Sequence, residues 1–122
     1  MKYTGIIIAE SLKDKSIVDS LQVIKTKIET VTEKHRTPWV TQWTLHTVQI
    51  PEDEIDQVVE VISHSLETNH TDWYADFKND RYHYIVFSQK IFKVDFKNPV
   101  LYDEVKTYGM ARGIPDYQLN FV

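Results

Sequence analysis

The sequence predicts a single α+β domain spanning residues 1–122, built on a mixed sheet. Three observations predict it. Apolar residues recur at helical spacing in three stretches, β-branched runs end at turn residues, and residues 73–95 read as three short strands joined by tight turns. The expected order is β-α-β-α-β-β-β-α, with an antiparallel meander and helices mainly on one face. A ferredoxin-like arrangement is a relative of this pattern.

Residues 2–9 form the first expected strand, because Ile6-Ile7-Ile8-Ala9 is a short apolar run suited to burial on both faces. Ile17, Leu21, Ile24, Ile28 and Val31 then recur at spacings of four and three, which predicts a long helix from Asp14 or Ser16 to before Pro38. Trp43 to Ile50 is rich in Thr, Val and Ile and stops at Pro51, so it predicts a second strand. A strand, a helix and a strand make a βαβ unit, and the first two strands are expected to be parallel. Trp39 and Trp43 share a face at even spacing and are expected to cap the core.

Pro51 and the acidic cluster from Glu52 to Asp56 open the next helix, where proline fits the first turn and carboxylates complement the helix dipole. Its buried face is Ile55, Val58, Val59, Ile62 and Leu66. Strands follow at 73–78, 82–87 and 90–95. Asn98 and Pro99 then start a helix that buries Leu101, Val105 and Tyr108. Gly109 marks either close packing or the helix end. Gly113-Ile114-Pro115 reads as a stop with a left-handed glycine. Tyr117, Leu119 and Phe121 alternate, which predicts a short edge strand.

Side chains alternate along strands, so an even turn at Asn79-Asp80 sets Phe77 opposite Tyr82 and Ala75 opposite Tyr84. On the other face Asp76 falls opposite His83. The face with Ile85, Phe87, Phe92, Val94 and Phe96 is expected to take the helices. Trp73, Phe77, Tyr82 and Tyr84 then form an aromatic face, with three candidate fates. Loops or the C-terminal segment cover it, a second copy packs on it as a homodimer, or it lines a pocket for a small flat ligand.

Candidate chemistry rests on two pairs. A carboxylate at Asp76 beside the His83 imidazole would fix the ring's tautomer, as general acid–base work requires; an ordinary cross-strand ion pair is the plain alternative. Glu10, past the end of the first strand, and His46 on the second form another pair if those strands are neighbours. A solvated loop and a hydrogen-bonded core histidine compete with that reading. His64, His70 and Asp72 form the one local group of metal-ligating types, at a spacing that matches no zinc or iron pattern, so no metal or cofactor is expected. Nucleotide-binding and hydrolase motifs are absent from the sequence.

Composition narrows the rest. A net charge of −4 without a basic run argues against nucleic acid, whose affinity comes mostly from phosphate neutralisation. The absence of cysteine removes disulfides and thiol chemistry. No apolar stretch approaches the ~20 residues that span a bilayer, so a cytoplasmic location away from membranes is expected.

Thr37-Pro38-Trp39, Trp43-Thr44-Leu45-His46-Thr47-Val48, Trp73-Tyr74-Ala75-Asp76-Phe77-Lys78 and Gly113-Ile114-Pro115-Asp116-Tyr117 together resemble a family of small single-domain prokaryotic proteins described as conserved hypothetical. The resemblance runs over nearly the whole chain. It implies a stand-alone cytoplasmic protein and carries no activity or site residue with it. The expected function is binding through the aromatic face, as a homodimer or a small-ligand site. The alternative is a small enzyme using Asp76 and His83, or Glu10 and His46.

Overall fold

A computed structural model describes residues 1–121 and shows one open six-stranded sheet with two α-helices. The strands are β1 (Tyr3–Ile8), β2 (Gln22–Thr30), β3 (Gln42–Ile50), β4 (Tyr74–Lys78), β5 (Tyr82–Phe87) and β6 (Lys90–Asp95). The helices are α1 (Ile55–Ser63) and α2 (Leu101–Ala111). Spatial order is β2-β3-β1-β4-β5-β6, and every neighbouring pair is antiparallel. The α+β class holds.

The expected first helix is not a helix. Lys15–Ser20 forms a 3-10 turn capped by the Asp14 side chain, and Gln22–Thr30 forms β2. Ile24 and Ile28 fit both periods, because a spacing of four is also even. The tie is broken by Val23, Ile24, Thr26, Ile28 and Thr30, five β-branched residues in nine, which favour a pleated backbone. β2 forms a hairpin with β3, and β3 pairs with β1 antiparallel, so the expected parallel βαβ unit at the N-terminus is absent. The parallel relation occurs elsewhere. β3 and β4 are each antiparallel to β1, which lies between them, and α1 connects them.

The helices lie on opposite faces, not mainly on one. α1 buries Ile55, Val59 and Ile62 against Phe77, Tyr84, Val86, Tyr3 and Ile7. α2 buries Val105 against Ile85, Phe87, Phe92 and Val94 on the other side. The aromatic face expected to be open is therefore the core beneath α1. Phe77, Tyr84 and Trp73 are buried and Tyr82 is half-buried. The amphipathic stripe of α1 packs into the same core, and the Tyr84 hydroxyl donates to Asp56 of α1 at 2.7 Å.

The β4–β5 turn is centred one residue later than expected, with Phe77 opposite Tyr84 and Ala75 opposite Val86. Asn79 causes the shift: its Oδ1 accepts from the backbone N–H groups of Arg81 and Tyr82. Moving a turn centre by one residue changes the pairing by two, so each side chain keeps its face. The β5–β6 register matches expectation, including His83 opposite Val94.

α2 begins at Leu101, two residues after Pro99. It ends as the sequence predicts, with Gly113 at φ 91°. The Ile114 N–H donates to the Gly109 carbonyl and the Gly113 N–H to that of Met110, a Schellman arrangement. The tail is a 3-10 turn at Asp116–Gln118 rather than a strand, because buried Leu119 seats against Gly109. Among the described residues no helix is long and apolar enough to cross a membrane.

Candidate functional site

Because α2 covers β5 and β6, the same face of β1, β3 and β4 is left without a helix above it. The register fixes which side chains point there: Ile6 lies beside Asp76, and Ile8 beside Leu45. Together with Trp43 and Tyr74 they line a cavity of about 280 Å³. One wall is the turn His35–Thr37, and the other is the end of α2 with Gly113, Ile114, Pro115 and Gln118. The walls are tied together. The Tyr117 hydroxyl and the Gln118 amide both donate to the Lys34 carbonyl, and Gln118 also reaches that of His35.

Rings pack closely around this space. Trp43 meets Trp73 at 5.5 Å and His35 edge-on at 4.5 Å. The Trp43 indole N–H donates to Thr37 Oγ1 at 2.8 Å, which holds the His35–Thr37 wall against β3. The Tyr74 hydroxyl donates to the Gln118 carbonyl on the opposite wall. Trp73 is buried, yet its indole N–H has no hydrogen-bond partner among the described residues.

Asp76 is the polar group in this otherwise apolar and aromatic floor. Its Oδ2 lies 2.7 Å from His83 Nε2, and His83 Nδ1 lies 2.7 Å from the Tyr102 hydroxyl. His83 is 1% exposed, whereas the Asp76 side chain is 34% exposed and lines the cavity. With Asp76 ionised, Nε2 carries the proton and donates to it. In the neutral ring Nδ1 then accepts from Tyr102. Burial pushes the Tyr102 phenol up, and the Asp76 charge adds to the shift; Tyr74 is pushed up by the same two causes in the same order. Both hydroxyls therefore remain donors.

A second carboxylate, Asp72, also lines the cavity, but it pairs with Arg112 at 2.7 Å. No Lys or Arg pairs with Asp76 among the described residues.

Asp76 and His83 are thus brought together as the sequence predicts, diagonally instead of directly opposite. Glu10 and His46 are not joined. Glu10 accepts from the Thr44 N–H at 2.6 Å and from its hydroxyl at 2.8 Å, so both carboxylate oxygens serve to anchor the start of β3. His46 bonds Thr26 across the β2–β3 pair. Of the four aromatic candidates, only Trp73 reaches the cavity. His64 and His70 bond Glu60 and Glu67, and the His70 ring stacks on Trp39 at 4.6 Å.

Tyr102, Tyr74 and the wall residues His35 and Gln118 were not legible as site residues. Tyr102 had a faint signal, a polar-tipped ring three residues before Val105 on the inner side of α2. The walls had none, because they meet only through the tertiary fold. No protein-family model matches this chain, and neither a curated protein nor a solved structure matches it.

Proposed function

We propose that this protein binds a small, flat ligand in the cavity over β1, β3 and β4, with Asp76 accepting a hydrogen bond from a ligand N–H. One observation carries the reading: a partly exposed carboxylate, paired with no Lys or Arg among the described residues, sits in an aromatic floor and is held by a buried histidine. Such a pattern of apolar lining with few placed polar groups is typical of small-molecule sites. An amino-bearing heteroaromatic ring offers an N–H donor for Asp76 and a flat face for the surrounding rings.

The test is a fragment screen followed by indole N–H chemical-shift perturbation. Flat amines are expected to shift the Trp43 and Trp73 signals. Asp76→Asn should weaken the best of them by about 10–100-fold, the value of a charged hydrogen bond. Fragments that bind the variant equally well would overturn the assignment of Asp76.

The hydrogen-bond chain from Tyr102 through His83 to Asp76 favours a second reading, in which Asp76 is a general base toward a bound ligand. His83 would orient the carboxylate and steady its charge. Deuterium exchange into a bound ligand's acidic C–H should then slow markedly in Asp76→Asn, and an unchanged rate would remove this reading.

A further inference from the structure

β2 is one of the two edge strands of the sheet, and eight of its nine residues are exposed. It packs chiefly on β3 and on the turn at Lys15–Ser20. Ile28 is 61% exposed and Ile24 50%. A long strand with an unpaired edge is a template for another strand, and lysines on such an edge normally discourage indiscriminate pairing. Here Lys25 and Lys27 are followed on the same face by Glu29, which turns the deterrent into a selection rule.

We propose that two copies of this chain pair antiparallel through the outer edges of β2, with Ile28 on the two-fold axis. The register follows from symmetry and charge. A two-fold axis perpendicular to the sheet keeps each side chain on its own face, so the axis must pass through a residue position and not between two. Centred on Thr26, Lys25 would oppose the partner's Lys27 twice. Centring on Lys25, Lys27 or Glu29 sets that charge against itself. Centred on Ile28, Lys27 of each copy faces Glu29 of the other, Thr26 faces Thr30, and Ile28 meets its own copy. The irregularity between Val23 and Lys25 interrupts pairing about Ile24, and the strand ends at Thr30.

The charges are already poised, because Lys27 and Glu29 form an ion pair at 3.2 Å within the chain. Pairing would turn two such pairs into an alternating ring of four charges. It would also place the interface beside the cavity wall, since Glu29 holds His35 at 3.3 Å.

Sedimentation of the full chain tests this. The wild type is expected to form a dimer. Lys27→Glu, made together with Lys25→Gln so that no Thr26-centred pairing of opposite charges replaces the lost one, leaves only acidic groups at the contact, and Glu29→Lys leaves only basic ones, so each alone is expected to be monomeric. An equimolar mixture should regain the dimer mass, because the carboxylate introduced at position 27 of one variant then faces the amine introduced at position 29 of the other. Monomeric wild type overturns the proposal, and so does a mixture that stays monomeric or a variant that alone dimerises as the wild type does. Circular dichroism checks that each variant folds. If either does not, the otherwise cysteine-free chain carrying Ile28→Cys replaces it. On air oxidation that variant should cross-link to a covalent dimer, and Thr26→Cys should not. Equal cross-linking of both, or of neither, overturns the register.

Discussion

His83 shows how much one side chain can fix. It sits on β5 beneath α2, almost wholly enclosed, and each ring nitrogen has a partner at 2.7 Å. Removing it strands a carboxylate and a phenol and opens a void. His83→Ala should therefore cost about 2–5 kcal/mol, read as a lower urea midpoint; an unchanged midpoint would mean that neither bond forms in solution. Gly5 is fixed by proximity. A Cβ there would lie 1.8 Å from the Asp76 carbonyl oxygen and 2.6 Å from the Phe77 ring, so β1 and β4 could not keep their spacing. Gly5→Ala should cost at least about 1–3 kcal/mol by the same measurement, and because it moves the backbone of Asp76 it should also weaken the fragment binding that we propose at Asp76. At this scale the sequence was readable in part. Parity alone put Asp76 and His83 on one face, whereas Tyr102 arrives from an element whose placement parity cannot specify.

At the scale of elements, local signals were reliable where one physical cause dominated. The end of α2 is such a case, since Gly113 supplies the left-handed residue that lets Ile114 fold back onto Gly109. Gly113→Ala should lower stability by about 1–2 kcal/mol, the cost of that conformation for a residue with a Cβ, seen as a reduced melting temperature. A melting temperature equal to wild type would show that the cap is loose. The signals misled where two periods coincide. Ile17, Leu21, Ile24 and Ile28 satisfy a helix, yet the spacing of four between Ile24 and Ile28 is even and also satisfies a strand, and the β-branched residues around that pair settle the conformation in favour of β2. That substitution propagates. With β2 in a hairpin against β3, the first and third strands become antiparallel neighbours, and Glu10 ends beside Thr44 instead of His46.

The whole molecule is one sheet with a core on each face, and the two cores explain a pH response. Tyr74 and Tyr102 on one side and Tyr84 on the other have phenols pushed up first by burial, with nearby carboxylates adding to it. In the unfolded chain they lose their protons near the ordinary value of 10.0. The folded protein therefore holds more protons above that pH. The stability that these phenols contribute is fully present below pH 10.0 and is lost as pH rises through the folded values. Urea midpoints on either side of that pH should diverge, while a flat profile would show these hydroxyls to be hydrated in the fold.

Local signals in the chain were enough for the α+β class, the grouping of the meander side chains into two faces, the α2 stop, and the sharing of one face by Asp76 and His83, though not for their register. Each of these depends on contacts within a few residues or across one tight turn, where alternation and turn chemistry are sufficient. The tertiary structure alone decided that α1 and α2 take opposite faces, that α1 packs on the aromatic side, and that the bare area over β1, β3 and β4 becomes a walled cavity. Those outcomes depend on where distant segments meet, as Gln118 does with Lys34, and no local period encodes a separation of that length.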